Sequence, residues 1–228
     1  MNYGYYLFDL DNCLLNIPNP SEYFDKVLVE TIKKLTLNHL PERKERNKFW
    51  FSGEKYVDFL KKWGIGNIND FWTNFDETDY EFRKDLLDKK ELNLYDDVME
   101  VLNQLKSKGK KLAIISNAAN YIVEFIVNQF DIDHYFDETF GLGYGKDQAI
   151  AKPSPRGILN VLQNMNFNPI NNKALMVGDS RLDIYAAKRA NIFACLIKRE
   201  PTKYPDGCKD WDYKPDFTIN YLYEILNI

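Results

Sequence analysis

Hydrophobic and polar positions follow two different rhythms along this chain. Continuous apolar runs are typical of parallel strands covered on both faces, and they occupy residues 4–10, 112–116, 173–179 and 192–198. Helical apolar spacing lies between them, over residues 98–108, 118–130, 155–165 and 181–190. Weaker strand patterns at 137–140 and 216–219 extend the series. This alternation predicts an α/β fold with a doubly wound, Rossmann-like parallel sheet and right-handed crossovers.

One long segment departs from this rhythm. Residues 16–90 contain no convincing strand pattern, whereas 23–35 and 53–63 carry helical apolar spacing. We therefore expect a helical domain at 16–90, inserted between the first strand and the rest of the sheet. The core domain would then consist of residues 1–15 and 91–228. The aromatic stretch at 48–53 is expected to pack inside the insert.

Composition narrows the class of protein. With 228 residues, 45% of them hydrophobic, the chain can bury the core of one domain with a sizeable insertion. A net charge of -4 argues against a broad nucleic-acid-binding face. No apolar stretch reaches the roughly 18 residues that span a membrane, and no signal peptide is visible. The three cysteines fit neither a disulfide framework nor a zinc site, so we expect a cytoplasmic protein.

Polar residues that can take part in catalysis or ligand binding cluster where predicted strands end. They form four groups: Asp9 with Asp11; Ser116 with Asn117; Lys152; and Asp179 with Asp183. Ligands of open parallel sheets bind at the carboxyl edge of the strands. The four groups are therefore expected to converge on one pocket, although each has a simpler reading alone, such as a helix N-cap or a surface lysine.

Phosphoryl transfer is the chemistry that suits this set. A carboxylate can attack phosphorus and form an acyl phosphate, provided that positive charge neutralises both partners. Mg²⁺ takes carboxylate, carbonyl and phosphate oxygens, and Asp9 and Asp179 can supply two of them. Lys152 adds a fixed positive charge. Asp11 can then protonate the leaving alkoxide and later accept a proton from water.

The motifs "DLDNC", "SN", the lysine before "PSP", and "GDSRLD" resemble the four ordered motifs of the haloacid dehalogenase-like (HAD) hydrolases. The helical insert resembles that superfamily's C1-type cap, as in phosphoglycolate phosphatases and nucleotidases. Cys13 departs from the usual Thr or Val at its position and is expected to pack there.

This resemblance implies a role for each motif residue. Asp9 is expected to be the nucleophile and Asp11 the acid and base, with Mg²⁺ held by Asp9, Asp179 and the Asp11 carbonyl. Phosphate contacts are expected from Ser116, Asn117 and Lys152. Asp183 is expected to support the metal site or Lys152.

The expected activity is a Mg²⁺-dependent phosphatase acting on a small phosphorylated metabolite, with no nucleic-acid or membrane partner. The sequence does not choose among phosphoglycolate, a sugar phosphate and a nucleotide, and it leaves the oligomeric state open. Arg43, Lys44, Arg46 or Lys55 in the insert can meet an anionic substrate. Three alternatives remain: a phosphomutase, a C-halogen dehalogenase, which needs neither a metal nor Asp11, and a non-enzymatic binding protein.

Overall fold

The computed structural model describes residues 3–37, 39–50, 52–143, 148–200, 203–204 and 207–228. The chain forms two compact units. One contains Met1–Asn16, Asn93–Leu142 and Gln148–Ile228, and the other contains Ile17–Leu92 and Gly143–Asp147. We call the first the core unit and the second the cap unit. The predicted domain boundaries at 15/16 and 90/91 stay a prediction.

A six-stranded parallel sheet organises the core unit, with β1 (Tyr5–Phe8) near its centre. The other strands are β4 (Lys111–Ala119), β5 (Glu138–Leu142), β6 (Ala174–Gly178), β7 (Phe193–Ile197) and β8 (Phe217–Ile219). Their spatial order is β5-β4-β1-β6-β7-β8, and every adjacent pair is parallel. All residues of β1 and β6 are buried, which explains their unbroken apolar runs. The predicted α/β fold is confirmed.

In the described part of the core unit, four α-helices connect the strands: α5 (Val98–Ser107), α6 (Asn120–Gln129), α7 (Arg156–Asn164) and α8 (Arg181–Arg189). Each forms because its apolar residues recur at helical spacing and line one face. In α5, for example, Val98, Val101, Leu102 and Leu105 are all buried. Short 3₁₀ helices lie at Asp133–Tyr135, Gln148–Ile150 and Leu222–Asn227.

Two details of the core unit differ from the sequence prediction. Strand β4 continues to Ala119, because it pairs with β5 again at Leu142 after an irregularity beyond Ile115. Ser116 and Asn117 therefore lie within the strand instead of past its end. A short antiparallel pair, β2 (Leu15–Asn16) with β3 (Asn93–Leu94), was not predicted.

The cap unit is helical, as predicted for the insert. It contains α1 (Pro20–Leu35), α2 (Arg43–Trp50), α3 (Tyr56–Lys62) and α4 (Ile68–Asp88), with a 3₁₀ turn at Gly53–Lys55. Of the described helices in either unit, none is long and apolar enough to cross a membrane.

Aromatic side chains form the interior of the cap unit. Phe49 is buried, and its ring centroid lies 5.4 Å from that of Trp63 and 5.7 Å from that of Phe71. This part of the 48–53 stretch therefore packs inside the unit as expected. Phe51, in the same stretch, lies outside the described residues.

Two basic residues of α2 are engaged inside the cap unit. The buried Arg46 guanidinium donates two hydrogen bonds of 2.8 Å to the Asp25 carboxylate. Arg43 donates bonds of 3.0 and 2.9 Å to Glu22. The suggestion that Arg46 meets an anionic substrate is therefore not supported by its surroundings, because its charge is already paired and buried.

We predict that Asp76, on α4, makes stability depend on pH. Its side chain is 7% exposed and has no hydrogen-bond partner within the described residues. Burial, and then the charge of Asp79, raise the pKa of Asp76 from 3.8 to about 7. Because the raised pKa favours the neutral form, the folded state should lose stability as pH rises from 4 to 7. Asp76→Asn should remove this loss, up to about 4 kcal/mol if the full shift applies.

Urea denaturation at pH 5 and pH 8 measures this effect. The stability gain of Asp76→Asn should be larger at pH 8. Asp88→Asn, which changes an exposed carboxylate on the same helix, should show no such increase. Equal gains at both pH values for Asp76→Asn would contradict the prediction.

Candidate active site

The first two acidic residues lie at the end of β1 and on the tight turn that follows it. The Asp9 amide donates to Val177 O at 2.9 Å, which continues the pairing of β1 with β6. The chain then folds back, and the amides of Leu14 and Leu15 donate to Leu10 O at 3.0 and 2.9 Å. Asp9 thus stands at the carboxyl edge of the central strand. Asp11 lies on the turn that follows, and we call residues 10–15 the catalytic loop.

The ammonium group of Lys152 joins distant parts of the site. It donates to Asp9 Oδ1 and to Asp183 Oδ1, both at 2.6 Å, and to Ile115 O at 2.8 Å. The side chain is buried. Lys152 is therefore not an ordinary surface lysine, and its three acceptors fix its position.

Asn117 holds the backbone of Lys152. Its Oδ1 accepts from Lys152 N at 2.8 Å, and its Nδ2 donates to Lys152 O at 3.0 Å. Ser116 is buried on the neighbouring position, and its Oγ accepts from Ala118 N at 3.0 Å. Because both polar atoms of the Asn117 side chain are engaged, this side chain positions Lys152. The expected phosphate contacts of Ser116, Asn117 and Lys152 stay predictions.

The segment "GDSRLD" folds so that Asp183 points back to the strand end. Asp183 is fully buried, and its Oδ2 accepts from the amide and the hydroxyl of Ser180 at 3.0 and 2.6 Å, which caps α8. Gly178 makes this close approach possible. A Cβ at that position would lie 2.3 Å from Cγ of Asp183.

Asp179 is also buried, and it forms an ion pair with Lys203. Lys203 belongs to no motif, so the sequence analysis missed it. The only local signal was a group of basic residues, Lys198, Arg199 and Lys203, after the end of β7 at Ile197. Such a group follows a strand end on the same edge of the sheet as the motif residues.

Three carboxylates meet at this edge. Oxygen atoms of Asp9, Asp179 and Asp183 all lie within 4.8 Å of one another. Burial, and then the nearby charge of Asp183, raise the pKa of Asp9 well above its usual range. Burial also raises the pKa of Asp179. Burial alone would lower the pKa of Lys152, but Asp183 and Asp9 raise it overall.

The balance of charge fits a bound cation. Three carboxyl groups face the two ammonium groups of Lys152 and Lys203, so acidic groups outnumber basic ones at this edge. Clustered carboxylate oxygens are ligands of hard cations such as Mg²⁺. These three residues could hold a metal of this kind.

The four motif groups, which include the buried Lys152, and the parallel sheet are the features expected of one protein family. Residues 6–197 match the family model described as haloacid dehalogenase-like hydrolase. The chain belongs to this family. Its relatives include proteins named as a pyrophosphatase and as a predicted phosphoglycolate phosphatase.

The individual relatives have low sequence identity to this chain. Pyrophosphatase PpaX of Bacillus cereus (strain Q1) is 24% identical over 225 residues, which are 97% of this chain and 94% of that protein. CbbY of Rhodobacter sphaeroides, solved in complex with phosphate, has a TM-score of 0.74 and 20% identity, over 98% of this chain and 96% of CbbY. A predicted phosphoglycolate phosphatase from Haemophilus somnus has a TM-score of 0.66 and 23% identity, over 99% of this chain and 97% of that one. The structural likenesses support the fold.

Proposed function

We propose that this HAD hydrolase is a Mg²⁺-dependent phosphatase that hydrolyses a small phosphomonoester through an aspartyl-phosphate intermediate. The observation that carries the proposal is the buried cluster of Asp9, Asp179 and Asp183, in which the Lys152 ammonium group binds both Asp9 and Asp183. A carboxylate next to a fixed cation, among other oxygen ligands, suits attack on a phosphate dianion.

The first half-reaction transfers the phosphoryl group to the protein. A carboxylate oxygen of Asp9 forms a bond to phosphorus while the bond from phosphorus to the ester oxygen breaks. The leaving oxygen takes a proton from Asp11. The products of this step are the free alcohol and an acyl phosphate on Asp9.

The second half-reaction restores the carboxylate. Asp11, now ionised, accepts a proton from water while the water oxygen bonds to phosphorus. The bond between phosphorus and the Asp9 oxygen breaks, and inorganic phosphate leaves. No oxidant or further reactant is needed, because Asp11 returns to its protonated form.

Asp9, Asp179 and the carbonyl of Asp11 are the proposed ligands of Mg²⁺, with Asp183 supporting the site. When bound, the ion neutralises the repulsion between the attacking carboxylate and the phosphate. Lys152 is proposed to do the same from a fixed position, and the buried Ser116 hydroxyl to donate to a phosphate oxygen. Asn117 contributes by holding the Lys152 backbone.

The substrate is proposed at the level of chemical class. Relatives carry the names pyrophosphatase and phosphoglycolate phosphatase, so pyrophosphate and phosphoglycolate should head an assay panel, followed by sugar phosphates and nucleoside monophosphates. A phosphomutase would yield an isomeric phosphate ester instead of inorganic phosphate. A dehalogenase would release halide, and a binding protein would turn over nothing.

Asp9→Asn is expected to abolish phosphate release, because an amide oxygen is too poor a nucleophile to form the acyl phosphate. Chelation with EDTA should stop the wild-type reaction, and added Mg²⁺ should restore it. Release of inorganic phosphate from p-nitrophenyl phosphate and from the substrate panel measures both effects.

Asp133→Asn, which changes an exposed carboxylate of the core unit, should behave as wild type. Thermal unfolding of Asp9→Asn should confirm that the variant is folded. Substantial turnover by the folded variant, or full activity after exhaustive chelation, would contradict the proposed mechanism.

Asp11→Asn is expected to discriminate between leaving groups. Loss of a general acid typically costs about 10² to 10⁴ in rate, but p-nitrophenolate leaves without much protonation. The kcat of Asp11→Asn should therefore fall more for alkyl phosphates than for p-nitrophenyl phosphate. Steady-state kinetics on both substrates measures the ratio, and equal losses would show that Asp11 is not the acid.

Lys203→Met is expected to increase the affinity for Mg²⁺, because Lys203 holds the same Asp179 carboxylate that is a proposed metal ligand. A unit charge a few ångströms away contributes on the order of 1 kcal/mol or more of repulsion, so the gain should be about tenfold. Isothermal titration calorimetry with MgCl₂ measures it.

Lys198→Met is the matched control for Lys203→Met. Lys198 lines the same recess as Asp179 and Lys203, but the structure records no ion pair between it and Asp179 among the described residues. Its replacement should change the Mg²⁺ affinity much less. Unchanged or weaker binding by Lys203→Met would show that Lys203 does not compete with the metal.

A further inference from the structure

We propose that Arg199 is a positioning residue that holds the catalytic loop, and through it Asp11, by binding the backbone carbonyl of Cys13. Arg199 lies just after β7 and outside every motif that carries the chemistry. The proposal rests on the acid and base role of Asp11 in the proposed function.

The guanidinium group of Arg199 contacts two acceptors at once. Its Nε and Nη2 donate to Cys13 O at 3.2 and 3.0 Å. Its Nη1 and Nη2 donate to Oδ2 and Oδ1 of Asp97, each at 2.7 Å. The Arg199 side chain is only 6% exposed. Charge-assisted bonds in such a site are short and directional, so the geometry resists displacement.

Asp97 anchors the guanidinium group to the core unit. It stands at the N-terminus of α5 but makes no side-chain bond to its own helix. Its Oδ2 instead accepts from Leu222 N at 2.7 Å as well as from Arg199. Burial would raise the pKa of Asp97, but the bonds from Arg199 and Leu222 lower it overall. The carboxylate is therefore ionised and is committed to this network.

Tyr95 provides a second support. Its ring centroid lies 4.0 Å from Cζ of Arg199, within the range of a cation–π contact. The Tyr95 amide donates to Leu14 O at 3.0 Å, so the same residue also contacts the catalytic loop directly. The guanidinium group of Arg199 thus contacts the face of the Tyr95 ring and the carboxylate of Asp97.

The point of attachment on the loop explains the functional consequence. Cys13 is buried, and its thiol donates to Val177 O at 3.5 Å, while its carbonyl accepts from Arg199. Cys13 is therefore fixed on both sides, two residues after Asp11 and four after Asp9. A shift of the Cys13 peptide changes the backbone on which Asp11 is carried, and small displacements of a catalytic group reduce rates strongly.

A lysine cannot reproduce this arrangement. Its ammonium group is a point charge, whereas the planar guanidinium group presents several donors in a fixed fork. Arg199→Lys therefore keeps the charge and removes the geometry. Asp97→Asn keeps the shape of the anchor and removes its charge.

The test compares these two variants with Asp11→Asn. We expect Arg199→Lys and Asp97→Asn to lower kcat with little change in KM, and to lower it about tenfold more for alkyl phosphates than for p-nitrophenyl phosphate, as expected for partial loss of a general acid. The affinity for Mg²⁺, measured by calorimetry, should fall less than kcat, because only one of the proposed ligands, the Asp11 carbonyl, lies on the catalytic loop. In an Asp11→Asn background, Arg199→Lys should add no further selectivity between leaving groups.

The cap unit supplies a matched control. Arg46 and Asp25 form a buried, doubly bonded pair of the same kind in a unit that carries none of the catalytic carboxylates. Arg46→Lys and Asp25→Asn should lower thermal stability without selectivity between leaving groups. If Arg199→Lys does not fold, Asp97→Asn carries the test.

The outcomes separate the inference from the proposed function. If Asp11→Asn is selective between leaving groups and neither Arg199→Lys nor Asp97→Asn is, Arg199 is only a structural residue and the inference is wrong. If Asp11→Asn itself shows no selectivity, the acid role of Asp11 fails and the inference fails with it. Shared selectivity in all three variants, which disappears in the double variant, supports the proposal.

Discussion

The rest of the site depends on the bonds that the buried ammonium group of Lys152 makes. Asp9 and Asp183 come from different strand ends, and both would be costly to bury as ions without a partner. Lys152 donates to both at 2.6 Å, and it donates its third bond to the carbonyl of Ile115. Breaking such a buried pair leaves an uncompensated charge, which typically costs about 3–5 kcal/mol. The loop that carries Lys152 is in turn held by Asn117.

The parallel topology of the sheet brings these distant residues close together. The four groups are far apart in sequence, but β1, β4 and β6 are adjacent strands that run in the same direction, so their carboxyl ends meet at one edge. Hydrophobic burial of the sheet fixes that edge without using any of the polar groups. The charged residues are then placed by the fold, and Lys152 and Lys203 offset part of the cost of burying their carboxylate partners.

The strands and helices that could be predicted from the sequence are those with a local pattern of apolar residues. Buried parallel strands such as β6, and helices with one apolar face such as α5, were visible because both patterns repeat within a few residues. The two-residue pairing of β2 with β3 was not visible, since a strand of that length has no alternation to read. Ser116 and Asn117 were placed past a strand end because the later pairing of Ala119 with Leu142 depends on a partner strand.

Supporting residues of the site lay beyond sequence reasoning for the same reason. Arg199 and Asp97 are 102 residues apart, and neither belongs to a repeating pattern. Motif residues can be recognised because the chemistry demands particular groups at particular strand ends. A positioning residue only has to reach one backbone carbonyl or one carboxylate, and many places in a sequence can provide such a group. Its identity is therefore decided by tertiary geometry, and only the structure reveals it.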